Sequence, residues 1–123
     1  MAASQYDITI EQGATFTLNI DFKDGNDQLY NLSSGYTGRM KIRHAVGGDL
    51  IDSSEPEDAP NNNISVTLGS TSSSSPNIVV SIAANKTSGY TFSSGVYDLE
   101  LVAGTNVDRV VQGRVTLNKE VTV

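Results

Sequence analysis

Cysteine and tryptophan are absent from this chain, histidine occurs once, and proline only three times in 123 residues. Without cysteine there is no disulfide, no thiolate metal site and no thiol nucleophile. A zinc site wants two or more His or Cys ligands, and His44 is alone. Serine hydrolysis wants a histidine base and a nucleophile, and no Gly-x-Ser-x-Gly elbow occurs. No phosphate cradle, dinucleotide fingerprint or carboxylate pair at a defined spacing appears. The expectation is a protein that is not an enzyme and needs no cofactor. Basic residues are the minority, 8 Lys and Arg against 14 Asp and Glu, for a net charge of −6. Such a surface repels phosphate backbones, so nucleic acid is not an expected partner. No apolar run approaches the about 20 residues of a spanning helix. The start, Met1 to Tyr6, lacks the basic and apolar regions of a signal peptide. No membrane partner is expected.

What the chain does have is alternation. Thr15 to Phe22 reads polar, apolar, polar, apolar without a break. On a helix those apolar groups would scatter around the cylinder, whereas on a strand Phe16, Leu18, Ile20 and Phe22 share one face. The pattern predicts strands at Tyr6–Ile10, Ala14–Lys23, Tyr36–Val46, Ile64–Leu68, Ile78–Ile82, Val96–Val102 and Asp108–Leu117. Shorter extended pieces are expected at Leu29–Leu32 and Asp49–Asp52. Asp24–Asp27, Gly47-Gly48 and Ala103–Asn106 read as turns, and Gly113 as a candidate bulge. Ser53 to Asn63, with Pro56 and Pro60, reads as a long surface loop, and Ser72–Ser75 as a hairpin tip. Ala83–Thr91 is the one helical turn expected, with Thr87 and Ser88 as possible caps. The fold class is therefore all-β: one domain over residues 1–123, an antiparallel two-sheet β-sandwich. Its expected core is Phe16, Leu18, Ile20, Phe22, Met40, Ile42, Val66, Ile82, Tyr97, Leu99 and Leu101. Residues 1–5 and 120–123 are weakly patterned and read as extended arms.

The candidate sites are few. Asp21, Asp24, Asn26 and Asp27 surround one turn with the oxygen ligands that calcium takes, but the spacing is not that of an EF-hand, and a solvated Asx-type turn accounts for it. Asp52, Glu55, Glu57 and Asp58 form a second acidic group, read as a wet loop. His44 falls on the apolar parity of its strand, as a partly buried histidine at a sheet edge. Arg39, Lys41 and Arg43 line the polar face of one strand. They can pair with Asp98 and Glu100 on a neighbouring strand, the favoured reading, or form an electrostatically steered docking face with Arg109 and Arg114. For sugar stacking, Tyr30 and Tyr90 are the rings left outside the core parity.

Three segments carry a family resemblance. They are Tyr6–Phe16, Leu32–Arg43, and Gly95–Leu101 followed after a hairpin by Val111–Val121. In this order and spacing the chain resembles small β-sandwich virion proteins of tailed bacteriophages. The resemblance implies a structural role in the particle, in the tail, baseplate or fibre attachment region. Alternatives are a capsid decoration or neck protein and, from another class, a glycan-binding module. It implies other virion proteins as partners, a homo-oligomer or hetero-assembly, and location in the virion after synthesis in the host cytoplasm. No catalytic residues come with it. Separately, Ser94–Leu99 resembles strand F of immunoglobulin domains, with Leu99 at the cysteine position and Tyr97 as the tyrosine-corner residue. That implies an immunoglobulin-like sandwich, with the Tyr97 hydroxyl bonded to nearby backbone.

Overall fold

The computed structural model of the chain describes residues 4–23, 26–32, 35–69 and 76–120. Its strands are β1 (Ser4–Gln5), β2 (Ile8–Glu11), β3 (Phe16–Ile20), β4 (Thr37–Arg43), β5 (Leu50–Ser53), β6 (Ser65–Leu68), β7 (Ile78–Ile82), β8 (Ser94–Ala103) and β9 (Asn106–Asn118). A 3-10 turn, Pro56–Asp58, follows β5, and a single helical turn, α1 (Ala84–Thr87), follows β7.

The strands form two packed sheets. The larger runs β1-β9-β8-β4-β5, with β2 continuing β1 along the same side of β9, and the smaller runs β3-β7-β6. With β3 to β9 in the places of strands B, C, C′, D, E, F and G, the sheets are BED and GFCC′, the immunoglobulin-type arrangement. Period-2 patterning makes the core. Met40, Ile42, Leu99, Leu101, Val115, Ile8 and Ile10 project from the larger sheet, and meet Ile78, Val80 and Ile82 from the smaller. Gly38 sets the approach of the sheets, because a Cβ there would lie 2.5 Å from Val66 Cγ1 on β6.

Several expectations change. The sandwich is not wholly antiparallel, since β1 and β2 pair parallel with β9. After β2 the chain turns at 12–15 and crosses to the other sheet, so β2 and β3 never form a hairpin. The turn is held by Thr87, which accepts from the Gly13 N–H at 3.0 Å and donates to the Ala14 carbonyl at 2.8 Å. Thr87 is therefore a buried tie rather than a helix cap, and the helix shrinks to Ala84–Thr87. Phe16, Leu18, Ile20 and Val66 are half-buried rather than buried, because β3 and β6 are the edges of the smaller sheet. Strand β4 stops at Arg43. The turn that follows lifts His44 and Val46 into solvent, Val46 to 93% exposure. Leu29–Leu32 is no strand: Leu29 makes one bridge to Lys23, and Leu32 is buried. The arm read at 1–5 is paired in its described part, Ser4 against Val111 and Gln5 against Gln112. At the other end the Glu120 N–H donates to Gln12 Oε1 at 2.9 Å. Residues 1–3 and 121–123 lie outside the described residues, as does the serine tip 72–75.

Gly113 is not the bulge. The β8–β9 register shifts between Leu99 and Glu100, so that Leu99 opposes Val111 and Glu100 opposes Arg109. Val110 is the extra residue, and both Val110 and Val111 are buried. Gly113 serves close approach instead, because a Cβ there would sit 2.2 Å from the Tyr6 carbonyl oxygen. Tyr97, opposite Gly113, donates its hydroxyl to that same carbonyl at 2.5 Å. So the ring lies inside as expected, and its hydroxyl bonds backbone far off in sequence, in the link between β1 and β2.

Candidate functional site

The outward face of the larger sheet gathers five of the eight basic residues of the chain. Alternation along β4 turns Arg39, Lys41 and Arg43 outward, and the β4–β8 register sets them opposite Glu100, Asp98 and Val96. Across β8, Asp98 faces Gln112 and Val96 faces Arg114. The bulge at Val110 restores outward parity to Arg109, which then stands beside Glu100. With Glu55 and Glu57 from the loop after β5, these side chains line a groove of about 640 Å³.

Much of this charge is neutralised within the chain, as the sequence favoured, though not with all of the expected partners. Arg39 Nε lies 2.7 Å from Glu100 Oε1, directly across the ladder. That hydrogen bond, offset in part by burial, raises the guanidinium pKa further above its ordinary value. Lys41 ignores Asp98 and reaches the 3-10 turn, 3.1 Å from Asp58 Oδ2. Asp98 takes Arg109 at 3.4 Å, and Arg109 also approaches Glu100 at 3.8 Å. Burial, then the neighbouring Glu100, raises the Asp98 carboxyl above its ordinary range despite the arginines. Asp58 moves the other way, held down by a hydrogen bond from Ser53 and then by Lys41. Arg43 bonds the Gly48 carbonyl at 3.1 Å. Arg114 makes no ion pair among the described residues, so Arg43 and Arg114 flank Val96 as the cationic end of the face.

The other candidates fall elsewhere. Asp24 lies outside the described residues. Asp27 pairs with Lys23 at 3.3 Å. Among the described residues no group of three or more His, Cys, Asp or Glu is placed to hold a metal ion. His44 sits exposed in the turn after β4, its N–H donating to the Asp49 carbonyl at 3.0 Å. Neither tyrosine offers a free ring: Tyr30 stacks on Phe22 at 4.9 Å, and Tyr90 is buried beside Phe92.

Tyr90 reveals what the sequence reading missed. Its hydroxyl donates to Asp52 Oδ2. Asp52 is fully buried, not part of a wet acidic loop, and its Oδ1 accepts from the backbone of Ser53 and from the backbone and side chain of Asn63. One carboxylate thus ties β5, the loop at 60–63 and the approach to β8. The signal was local: Asp52 sits in Leu-Ile-Asp-Ser on a strand, where alternation turns it inward.

A second feature lies on the open side of the sandwich, between the β1 edge of one sheet and the β3 edge of the other. There a slot of about 600 Å³ is lined by Leu18, Ile20, Phe22, Tyr6 and Val110. No family model matches the chain, and no curated protein is similar to it.

Proposed function

We propose that the protein is a non-enzymatic structural component of a tailed-phage particle, working as an attachment or adaptor module of the tail, baseplate or fibre region. The phage context comes from the resemblance of the three segments quoted above. The architectural role is supported chiefly by the open β3 edge with its apolar slot, which offers backbone hydrogen bonds and half-exposed side chains together, as strand-adding interfaces do. The charged outer face of the larger sheet supplies orientation rather than bulk affinity. The glycan-binding alternative loses its two rings, which are spent on Phe22 and Asp52.

The test is occupancy in particles. Phage carrying Thr17→Pro, or the pair Arg43→Glu and Arg114→Glu, is purified and the protein quantified by mass spectrometry. Occupancy falls at least several-fold for one of the two if assembly uses the edge or the face. Full occupancy in both variants removes these surfaces from the role. Cross-linking in the same particles distinguishes tail, neck and capsid neighbours.

A further inference from the structure

Among the described residues only β7 pairs with β3, and the other edge of β3 has a defined hydrogen-bonding phase. In an antiparallel ladder, opposed residues alternate between pairs that exchange both backbone bonds and pairs that exchange none. The Gly69 N–H donates to the Asn77 carbonyl at 2.7 Å, so that position is a bonded one. By register, 67 with 79 and 65 with 81 are bonded too. Ile78, Val80 and Ile82 therefore turn their backbone groups the other way, toward Ile20, Leu18 and Phe16 on β3. That leaves the N–H and C=O of Thr17 and Asn19 pointing out of the sheet.

This edge lacks the usual protection. Natural edges carry charges, prolines or bulges, but Ala14 to Ile20 contains no charged residue and no proline, and the β3–β7 register runs without a shift. Its pattern is also the same in both directions: Thr15, Phe16, Thr17, Leu18, Asn19, Ile20, Asp21 is polar and apolar symmetrically about Leu18.

We propose that β3 pairs antiparallel with β3 of a second copy of this chain about a two-fold axis at Leu18, joining two three-stranded sheets into one. The proposal deepens the assembly reading above and rests on it. In this register Thr17 faces Asn19 of the second copy, and both are in the outward-bonding phase, so each such pair exchanges two hydrogen bonds. Phe16 faces Ile20 and Leu18 faces Leu18, which covers the half-buried stripe and overhangs the slot between the sheets. The ends are complementary in charge. Lys23 stands at one end, and Glu120 sits against Gly13 at the other, its carboxylate 2.3 Å from where a Gly13 Cβ would be. The two-fold brings Lys23 of each copy to the 12–14 turn of the other. The Lys23–Asp27 pair, between exposed side chains, holds Lys23 only weakly. A single added strand buries less than the roughly 1,200 Å² of a standard interface, so the dimer is concentration-dependent.

The chain is cysteine-free, which makes cross-linking clean. Facing residues of a non-bonded pair lie about 4.5 Å apart at Cα, within disulfide reach. Leu18→Cys should oxidise to a covalent dimer several-fold faster than Asn19→Cys, which faces position 17 instead. Wild-type protein should sediment as a monomer–dimer equilibrium. Thr17→Pro removes an outward N–H without touching the β7 ladder, and should stay monomeric with unchanged circular dichroism and melting temperature. A wild type that is monomeric to millimolar concentration, or a dimer indifferent to Thr17→Pro, overturns the proposal. If Thr17→Pro blocks entry into particles while the purified wild type never dimerises, self-pairing is overturned and the assembly reading stands.

Discussion

A methyl group at position 113 would meet the Tyr6 carbonyl oxygen at 2.2 Å and its carbon at 2.7 Å, both backbone atoms that cannot swing aside. Gly113→Ala should therefore lift the N-terminal strand off β9 and cost about 1–3 kcal/mol in a denaturant melt, as overpacking does. Tyr97→Phe removes only the hydroxyl that binds the same carbonyl. That bond is part-buried, and its loss should be about 1 kcal/mol. Tyr90→Phe is the harsher deletion, because Asp52 is fully buried and loses its partner. A cost of about 1–3 kcal/mol is expected. Burial, then the bond to Asp52 and its charge, raises the Tyr90 phenol above its ordinary value of about 10. A phenol raised in the folded state stabilises fully below the unfolded value and loses that contribution as pH climbs past it. The melting temperature should then fall above about pH 10 more steeply in wild type than in Tyr90→Phe.

At the scale of elements, one side chain substitutes for a missing strand. Among its described residues the chain between β3 and β4 makes one bridge, yet it is held by Asn77, fully buried just before β7. Asn77 Oδ1 accepts from the Phe22 N–H at 2.6 Å, and its Nδ2 donates to the carbonyls of Phe22 at 2.8 Å and Tyr30 at 3.0 Å. Asn77→Ala should cost about 2–4 kcal/mol, near three buried bonds. Asn77→Asp should cost more, since it sets an acceptor against two carbonyls. Chemical denaturation of both variants checks the order. Strand alternation had made β3, β4, β7 and the β8–β9 hairpin legible, with Gly104 at φ 60 in the connection. The edge positions of β3 and β6 were not legible, because burial at an edge depends on which strand is missing beside it. Nor was the Val110 bulge, which exists only in register with β8. Of the charged face, the Arg39–Glu100 pair followed from parity. The Lys41–Asp58 pair did not, because it depends on where the loop after β5 folds back.

Across the whole molecule the acidic excess is unevenly tolerated. Asp98 is raised by burial and Glu100, so its ionisation at neutral pH works against the fold. Its favourable contribution exists only below the unfolded carboxyl value and is lost as pH rises through the folded one. Asp98→Asn should leave the melting temperature at pH 7 unchanged or higher, with the gain gone near pH 3. Asp58 has the opposite sign: its contribution is present above the unfolded value and lost on acidification, so Asp58→Asn should lower the melting temperature at pH 7 but not near pH 3. The parallel seating of β1 and β2 on β9 adds something equilibrium measurements do not see. Ile8 to Glu11 run beside Val115 to Asn118 in the same direction, so a tension that pulls residue 4 and residue 118 apart drags the two strands lengthwise past each other. Their hydrogen bonds are loaded together, not peeled one after another. Such a join resists force through the rate at which it yields.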